Sequence, residues 1–492
     1  MPRLSVLYNG IAHETEYEGR PKLSAVLAQM GLAIAQPCAG RGYCGKCRVE
    51  LTGEVSPPNE LEQAAGGRLA CQIELRGDCQ AVLPRSQEMA QIQVEGSGQT
   101  GMLRPMPGRY GAAVDIGTTT VALRLFDLAS GQCLATAARL NAQTAVAADV
   151  MGRINTALKG ALGQMRDMAV DTVRALLSEA CQSAGISAEE IHSLVIAGNT
   201  TMLYLLTGRS PLSLSRAPFK ADHLFGEWVD FMGARAYLPP CMNAFVGADI
   251  SCAVLASGMC EQDRTALLVD VGTNGEIALW HKGRLLVTST AAGPAFEGAG
   301  IHMGCGSVVG AIDSVWLENG AIVTHTIAQA APVGVCGSGL IDAIAVLLQL
   351  GRISDTGATA EPRLDLTQSV HLIPRDIRQV QLAKAAIASG IRTLMHVAGI
   401  VPDDIDVMYL AGGFGSHLNI GSAVRIGLIP SQLAQVVEVI GNASLTGASS
   451  LLLNADRLDD LAALAQRSIH VELGGNPLFN EYYMDEMMFP ET

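Results

Sequence analysis

The sequence predicts a small α+β domain followed by a larger two-lobed α/β body, and three observations carry this prediction. Residues 1–84 are patterned as strands, one helix and further strands. Residues 85–109 contain four glycines and two prolines without sustained periodicity, which is typical of a linker. After the linker, a string of apolar strand, Asp and glycine–threonine turn occurs twice. Such a repeat indicates two related lobes, which we place at residues 110–262 and 263–492.

Composition bounds the class of protein. A chain of 492 residues exceeds what one hydrophobic core usually supports, so two or three domains are expected. Its residues are 49% hydrophobic and 16% charged, with 53 glycines, as in an ordered globular protein rich in tight turns. The net charge of −14 and the lack of any basic run argue against nucleic acid as a partner.

The sequence also predicts a soluble, cytoplasmic protein. The opening MPRLSVLYNG lacks the charged and then apolar plan of a signal peptide. Asp249 and Asp342 interrupt the most apolar stretches, so we expect no membrane span. Twelve cysteines in a large chain without a signal peptide are better explained as metal ligands and buried thiols than as disulfides.

The first 84 residues predict a β-grasp domain of the ferredoxin type. Apolar and polar residues alternate on both sides of Asn9-Gly10, which is a hairpin signal. The string KLSAVLAQMG then has apolar residues at helical spacing and ends at Gly31, a candidate helix cap. The strings CRVELTG and CQAVLPR are expected to form later strands.

Four cysteines in this domain have the spacing of ligands to a [2Fe–2S] cluster: Cys38, Cys44, Cys47 and Cys71. The gap between the first two is one residue longer than the plant-type spacing and resembles the adrenodoxin-like variant. A structural zinc site or a redox dithiol is the alternative, but the third cysteine in a glycine-rich loop favours the cluster. Cys79 lies outside the pattern and is expected to be a buried structural thiol.

The repeated strings predict two phosphate-binding loops. GAAVDIGTTTVALRLF places Asp115 at the end of a buried strand, and TALLVDVGTNGEIALW does the same for Asp270. The glycine and hydroxyl residues that follow can present N–H and O–H donors to phosphate oxygens. Either string alone is a weak signal, because Asp also caps ordinary turns. Two copies between apolar strands are a stronger signal.

A third element, VMYLAGGFGSH at 407–417, leads from a strand into glycines that allow adenine and ribose to lie against the backbone. The chain has no Walker A motif and no G-x-G-x-x-G after a strand. The nucleotide fold is therefore predicted to be neither a P-loop nor a Rossmann fold.

Together these three elements resemble the superfamily of actin, sugar kinases and Hsp70, an α/β (ribonuclease H-like) fold whose two lobes clamp ATP and Mg²⁺. The resemblance implies phosphate loops at 115–120 and 270–275 and an adenosine loop at 411–416. The residues it places around the nucleotide are Gly117, Thr118, Thr119, Gly272, Thr273, Asn274, Gly412, Gly413 and Gly415.

The same resemblance implies roles for the two aspartates. Asp115 would hold Mg²⁺ through water, and Asp270 would orient the attacking water during in-line phosphoryl transfer. The segments around Asn199 and Gly337 look like the two connecting segments of the superfamily.

Almost the full length resembles one family, the reductive activators of corrinoid enzymes, which join a [2Fe–2S] ferredoxin to an actin-like ATPase. The motifs occur in the order PCAGRGYCGKC, VDIGTTTVAL, VDVGTNGEI, AAGPAFEGAGI, GVCGSGLIDA, AGGFGSHL and NPLFNEYYMDEMMF. The resemblance implies ATP-dependent reduction of a corrinoid protein from Co(II) to Co(I). Electrons would enter at the cluster from an upstream low-potential reductant. Some members carry an extra middle segment after the linker, which this chain is expected to lack, and a homodimer is left open.

Other functions stay open at this point. The acceptor could be another low-potential enzyme, such as a radical dehydratase. A small-molecule kinase with a redox-sensing ferredoxin domain, or a redox-gated module that holds ATP without hydrolysing it, is also compatible with the motifs. His302, Met303 and Cys305 in a glycine-rich loop could reach a cobalt or a partner, although packing is the expected role. Cys305 and Cys336 are expected to be buried thiols rather than ligands to a second cluster.

Overall fold

The computed structural model of the protein describes residues 1–8, 11–30, 32, 34, 42, 47–83, 103–147, 149–412 and 418–491. These residues form an N-terminal domain and two larger lobes. None of the described helices is both long and apolar enough to span a membrane.

The N-terminal domain is a four-stranded sheet covered by helices. Its elements are β1 (Arg3–Tyr8), β2 (Ile11–Glu16), α1 (Leu23–Gln29), β3 (Glu50–Val55), α2 (Glu60–Ala65) and β4 (Leu75–Val82). The strand order is β2-β1-β4-β3, with β1 and β4 parallel in the centre and an antiparallel partner on each outer side, β2 and β3. This arrangement confirms the predicted β-grasp domain and its first hairpin. Helix α2 was not predicted, although Asn59 and Glu62 form a capping box that the sequence displays.

The first lobe is built on a six-stranded sheet. Its elements are β5 (Tyr110–Ile116), β6 (Thr120–Asp127), β7 (Gln132–Leu140), α3 (Val150–Thr156), α4 (Leu162–Ala184), β8 (Ile191–Gly198), α5 (Thr200–Thr207), β9 (Glu227–Phe231), β10 (Ala234–Leu238) and α6 (Ala248–Ser257). The strand order is β7-β6-β5-β8-β10-β9. Strand β5 is buried along almost its whole length, as expected for a central strand covered on both faces. Helix α4 buries Met165, Ala169 and Val173, spaced about one turn apart, against this sheet.

The second lobe is built on a sheet of the same design. Its strands are β11 (Ala266–Val271), β12 (Gly275–His281), β13 (Arg284–Thr290), β14 (Ala311–Glu318), β15 (Ala321–Thr326), β16 (Gly334–Val335), β17 (Leu364–Asp365), β18 (His371–Leu372), β19 (Val407–Ala411), β20 (Val437–Gly441) and β21 (Ile469–His470). Its helices are α7 (Gly337–Gln349), α8 (Pro374–Ala398), α9 (Ile420–Arg425), α10 (Ala443–Leu453), α11 (Arg457–Arg467) and α12 (Pro477–Asp485). The main sheet has the order β20-β19-β11-β12-β13-β21.

The two main sheets repeat one topology. In the first lobe, β5 pairs antiparallel with β6 and parallel with β8, and β6 pairs antiparallel with β7. In the second lobe, β11 likewise pairs antiparallel with β12 and parallel with β19, and β12 pairs antiparallel with β13. The duplicated lobe that the repeated strings predict is therefore confirmed.

Two helices cross between the lobes. Helix α6, which follows the first sheet in sequence, packs Ile250 and Val254 among residues of the second sheet such as Leu268. Helix α10, which follows β20, packs on β5 and β8 of the first sheet. A Cβ at Gly447 of α10 would lie 2.0 Å from the carbonyl oxygen of Cys252 in α6, so the helices touch backbone to backbone. The predicted connecting segments around Asn199 and Gly337 are therefore wrong, because α6 and α10 make this crossing.

The end of the predicted linker lies against the body. Residues 84–102 fall outside the described residues, so most of this prediction is not tested. From Leu103 onward, Arg104 N and Met106 N donate hydrogen bonds to carbonyls at the end of α10, and Met106 is fully buried. These last residues belong to the packed body.

The C-terminal segment is docked on the second lobe as a helix. Helix α12 packs on α8, and Arg392 of α8 lies over the ring of Tyr482 while pairing with Glu486 (3.0 Å). The buried Lys384 ammonium, whose pKa burial lowers to about 8, lies 3.7 Å from the Glu486 carboxylate.

Candidate functional site

The two predicted aspartates occupy equivalent places in the two sheets. Asp115 is the next-to-last residue of β5 and lies opposite Ala197 of β8, while Asp270 is the next-to-last residue of β11 and lies opposite Ala411 of β19. Both carboxylates therefore stand at the carboxyl end of a central strand. Burial raises the pKa of Asp270 to about 7, and the negative charge of Asp115 adds to the shift. The duplicated fold thus brings both aspartates close enough for their charges to interact, at the junction of the two lobes, which is called the cleft.

Asp115 of the first lobe is held by side chains of the second lobe. Ser444 Oγ donates to Asp115 Oδ1 (2.7 Å), and Asn442 Nδ2 donates to Asp115 Oδ2 (3.1 Å). Asn442 also caps α10, accepting a bond from Leu445 N. Burial raises the pKa of Asp115, and the two hydrogen bonds work in the opposite direction. The orientation of this carboxylate is therefore fixed by the crossing helix.

The first phosphate loop is a tight turn stabilised from behind. Gly117 N donates to Thr120 O (2.9 Å), and a Cβ at Gly117 would lie 2.7 Å from that oxygen, so only glycine fits. Asn141 Nδ2 donates to Gly117 O (2.9 Å). Asn199 Nδ2 donates to the hydroxyl of the buried Thr118 (3.1 Å). Hydrogen bonds from Asn141 and Asn199 therefore hold the loop in place, and Thr119 is directed towards the second lobe.

A buried arginine that the sequence analysis missed lies behind this loop. The side chain of Arg153 is fully buried and donates to the Thr118 carbonyl, to Ala147 O (3.1 Å) and to Gln143 Oε1 (3.0 Å). Burial lowers its pKa to about 9, and the charges of Asp149 and Glu297 partly offset that shift. A guanidinium remains protonated at neutral pH with such a pKa, so the first loop carries a positive charge behind its backbone.

The second phosphate loop is surrounded by carboxylates. Gly272 N donates to Asn274 O (3.0 Å), which closes the turn. Asn274 bonds to Glu276, a residue only 7% exposed that pairs with Asp270 across β11 and β12. Burial and the charges of Asp249 and Asp270 raise the pKa of Glu276. Burial and the charges of Asp115 and Asp270 likewise raise the pKa of Asp249.

One further carboxylate joins the two loops. Thr119 Oγ1 of the first loop donates to Glu297 Oε2 (2.7 Å), and Thr273 Oγ1 of the second loop donates to Glu297 Oε1 (2.9 Å). Glu297 ends the short 3₁₀ turn Pro294–Glu297. Its motif, AAGPAFEGAGI, is part of the family resemblance, but the sequence alone assigns Glu297 no role. No local pattern places this residue between two loops that are distant in the chain.

The predicted adenosine loop is described only at its start. Gly412 has φ +105°, and a Cβ there would lie 2.6 Å from Val271 O and 2.9 Å from Asp270 Oδ1. A glycine is therefore required where this strand passes behind the catalytic candidate Asp270. Gly413 and Gly415 lie outside the described residues.

The described residues do not form a ready-made metal site. Within them, no group of three or more His, Cys, Asp or Glu side chains is arranged to hold a metal ion. The prediction that Asp115 binds Mg²⁺ through water therefore stays a prediction. It requires phosphate oxygens and water as further ligands, as is usual for Mg²⁺.

In the N-terminal domain the structure describes two of the four cysteines that are predicted to hold the cluster. Cys47 and Cys71 are buried, and Gln72 Nε2 donates to Cys71 Sγ (3.4 Å), as outer-shell donors do to ligand sulfurs. A Cβ at Gly42 would lie 2.9 Å from Gln72 Nε2, so the loop passes close to this donor. Cys38 and Cys44 lie outside the described residues.

Cys79 is a buried structural thiol, as predicted. Its Sγ donates to Gly77 O (3.0 Å) and lies within β4, and burial raises its pKa. A protonated thiol held by backbone carbonyls is a poor metal ligand.

The glycine-rich loop near residue 302 serves packing at several points. His302 N donates to Asp376 Oδ1 (2.7 Å), and the exposed His302 ring lies 5.3 Å from that of His371. A parallel bridge joins Gly304 to Val335, so Cys305 and Cys336 lie in one neighbourhood. Cys336 is buried as predicted, whereas Cys305 is partly exposed.

Comparisons with known proteins agree with the two-part architecture. A sequence model described as a 2Fe-2S iron-sulfur cluster binding domain matches residues 7–76. Models described as the RACo middle region and the C-terminal domain of RACo, the ASKHA domain, match residues 110–262 and 264–492. The model of the middle region thus covers the first lobe and begins directly after the predicted linker. The expected lack of an extra segment between the linker and the first phosphate loop stays a prediction.

Two relatives and one solved structure extend the match over most of the chain. The corrinoid activation enzyme RamQ of Eubacterium limosum is 34% identical over 602 residues, covering 99% of this chain and 100% of that protein. The [Co(II) methylated amine-specific corrinoid protein] reductase of Methanosarcina barkeri is 26% identical over 424 residues, covering 77% of each protein. A solved structure of a reductive activator for corrinoid, iron-sulfur protein superposes with a TM-score of 0.74 at 27% identity, covering 99% of this chain and 98% of that one. The chain therefore belongs to the family of reductive activators of corrinoid proteins, with a ferredoxin-like domain followed by an actin-like ASKHA fold.

Proposed function

We propose that the protein reduces the cobalt of a corrinoid protein from Co(II) to Co(I) and that ATP hydrolysis drives this reduction. One observation carries the proposal: a ferredoxin-type domain and a two-loop phosphate cleft occur in one chain. The match to relatives named for corrinoid activation supports the choice of acceptor. A cytoplasmic location fits the proposal, because thiolates stay reduced there.

Electron entry is assigned to the N-terminal domain. The thiolates of Cys38, Cys44, Cys47 and Cys71 would hold the cluster. A bound [2Fe–2S] cluster supplies one-electron transfer, with a potential set partly by hydrogen bonds to its ligands. Gln72, which donates to Cys71 Sγ, is one such donor. A low-potential reductant upstream would supply the electrons.

Nucleotide chemistry is assigned to the cleft between the lobes. Residues 117–119 and 272–274 would receive the phosphates, and Gly412, Gly413 and Gly415 the adenosine. Asp115 would hold Mg²⁺ through water. Asp270 would orient the water whose oxygen bonds to the terminal phosphorus while the bond to the ADP oxygen breaks. A pKa of about 7 suits a group that accepts a proton near neutral pH.

The energetics give ATP a purpose. A plant-type cluster has a potential near −400 mV, and Co(I) is a still stronger reductant. Each 100 mV of uphill one-electron transfer costs about 2.3 kcal/mol. A nucleotide-driven change between two conformations can cover a gap of a few kcal/mol, provided that the acceptor complex binds the two conformations with different affinity.

The test is a reduction assay with the full-length protein. The chemically reduced protein is mixed with a Co(II) corrinoid protein, and the Co(I) absorbance is followed with ATP, with ADP and without nucleotide. We expect ATP-dependent Co(I) formation. Cys71→Ser should abolish it together with bound iron, while the matched variant Cys79→Ser should keep both. Equal rates with and without ATP would remove the energetic role.

A further inference from the structure

Glu297 accepts hydrogen bonds from the same loop hydroxyls that a bound nucleotide would use. Its two carboxylate oxygens accept one hydroxyl each, from Thr119 of the first lobe (2.7 Å) and from Thr273 of the second (2.9 Å). Both donors belong to the loops that would receive phosphate. The carboxylate therefore uses the hydroxyls that a phosphate group would need.

The charges around Glu297 match those of a phosphate subsite. The buried Arg153 guanidinium is close enough for the Glu297 charge to act on its pKa. On the other side, the charge of Glu297 helps to raise the pKa of Asp270. An anion at this point is thus close to one cation, two hydroxyl donors and one carboxylate. A terminal phosphate placed beside Glu297 would meet a like charge, which is unfavourable in a buried site.

The backbone that carries Glu297 is fixed, so the side chain must do the moving. Ala295 and Phe296, which precede it, are buried in the core of the second lobe. Gly298, which follows it, has φ +75°, and a Cβ there would lie 2.2 Å from Cys305 O. A shift of this turn would disturb the core, whereas rotation of the Glu297 side chain would not.

We propose that Glu297 occupies the subsite of the terminal phosphate in the nucleotide-free protein, links the two lobes through Thr119 and Thr273, and swings out when ATP binds. Glu297 is thus a positioning residue that sets the affinity for a nucleoside triphosphate. Binding of the triphosphate breaks the hydrogen bonds by which Glu297 links the two lobes. This role rests on the proposed function for its ligand, but the link between the lobes does not.

The first test measures nucleotide affinity. In Glu297→Gln the charge is lost while the size is kept, so ATP should bind at least about fivefold more tightly in calorimetric titrations, because a like-charge contact is removed. The affinity for ADP, which lacks the terminal phosphate, should change by less than about twofold. Glu361→Gln, which removes a surface carboxylate paired with Arg352 in the same lobe, is the matched control and should change neither affinity. Unchanged or weaker ATP binding by Glu297→Gln, or slower hydrolysis without tighter binding, would overturn the proposal.

The second test needs no nucleotide. Amide hydrogen exchange is compared between the nucleotide-free wild type, Glu297→Gln and Glu297→Ala. Peptides containing Thr119 and Thr273 should exchange faster in Glu297→Ala, because one carboxylate stabilises both loops. Unchanged exchange in the Thr119 peptide would disprove the link between the lobes, whether or not the protein binds ATP. A wild type that binds no ATP would instead overturn the proposed function, and the exchange data would still decide the link.

Discussion

The two lobes share one strand order but surround their phosphate loops with opposite charge. In the first lobe, the residue opposite Asp115 on the neighbouring strand β6 is Ala122, and the buried Arg153 lies behind the loop. In the second lobe, the residue opposite Asp270 on β12 is Glu276, and Asp249 of the crossing helix α6 adds a further carboxylate beside them. The duplication thus produced two sheets of the same topology, and the side chains at matching positions differ in charge. We infer that the first lobe attracts phosphate and holds Mg²⁺ through Asp115, whereas the second lobe positions the attacking water through Asp270.

The largest expected effect is on ATP hydrolysis, in which variants of the two aspartates should behave differently. Asp270→Asn should slow ATP hydrolysis by about 10³-fold, because it removes a proton acceptor and water-positioning group. Binding of a non-hydrolysable ATP analogue should change by less than about threefold. Asp115→Asn should instead raise the Mg²⁺ concentration needed for half-maximal activity. Phosphate-release kinetics and Mg²⁺ titrations measure both effects, and equal behaviour of the two variants would contradict the division between the lobes.

The second prediction concerns the positive charge of Arg153 behind the first phosphate loop. Arg153→Met should lower the free energy of unfolding by about 3 kcal/mol, because buried carbonyls lose their donor. It should also weaken ATP binding about tenfold, because the first loop loses its cation. Urea denaturation and calorimetry measure the two quantities. Arg174→Met, which removes an exposed arginine beside Asp171 on α4, is the control and should change stability by less than about 0.5 kcal/mol.

The third prediction concerns the buried carboxylates around Asp270 and the change of the protein's stability with pH. A carboxylate whose folded-state pKa is raised binds its proton more tightly in the folded state. It therefore favours folding below its unfolded-state pKa, and this benefit is lost as the pH rises through the folded-state pKa. For Asp270 that window ends at about pH 7. The nucleotide-free protein should accordingly lose stability between about pH 5 and pH 8.

Asp249→Asn should weaken this pH dependence, because it removes one charge from the buried group that contains Asp270 and Glu276. At pH 8 the variant should be more stable than the wild type by about 2 kcal/mol, with little difference at pH 5. Asp127→Asn, at the exposed end of β6, should leave the slope between pH 5 and pH 8 unchanged. If the wild-type protein becomes more stable between about pH 5 and pH 8, the buried carboxylates do not repel one another as described.

The smallest effect concerns the hydrogen bonds across the lobes. Ser444→Ala removes the donor to Asp115 Oδ1 and should lower the free energy of unfolding by about 1 kcal/mol. It should also raise the pKa of Asp115 further, since that bond favours the ionised form. Denaturation at neutral pH measures the first effect. No change in stability would mean that solvent replaces the serine without cost.

Sequence reasoning reached the parts of the site that are local in the chain. The pattern of strand, Asp, Gly and hydroxyl located Asp115 and Asp270, because a strand that ends in a turn carries its own signal. It missed Arg153, which lies in the polar-looking string VMGRINT, because only the fold reveals that this face of α3 is buried. Glu297 was missed for a related reason, since its partners come from two distant loops. The crossing helices were misassigned because the small residues at Gly447 and Cys252 show close contact only once paired.

The crossing of α6 and α10 also affects how the chain is made. The core beneath β5 and β8 is completed by Leu445, Leu451 and Leu452, which are synthesised long after the first lobe. At ordinary rates of translation, the first sheet would wait roughly 10–40 s on the ribosome with one apolar face uncovered. A protein cut after residue 262 would keep that face exposed permanently. During biosynthesis the two lobes must therefore mature together, and a chaperone that covers apolar surface would have its target in the first.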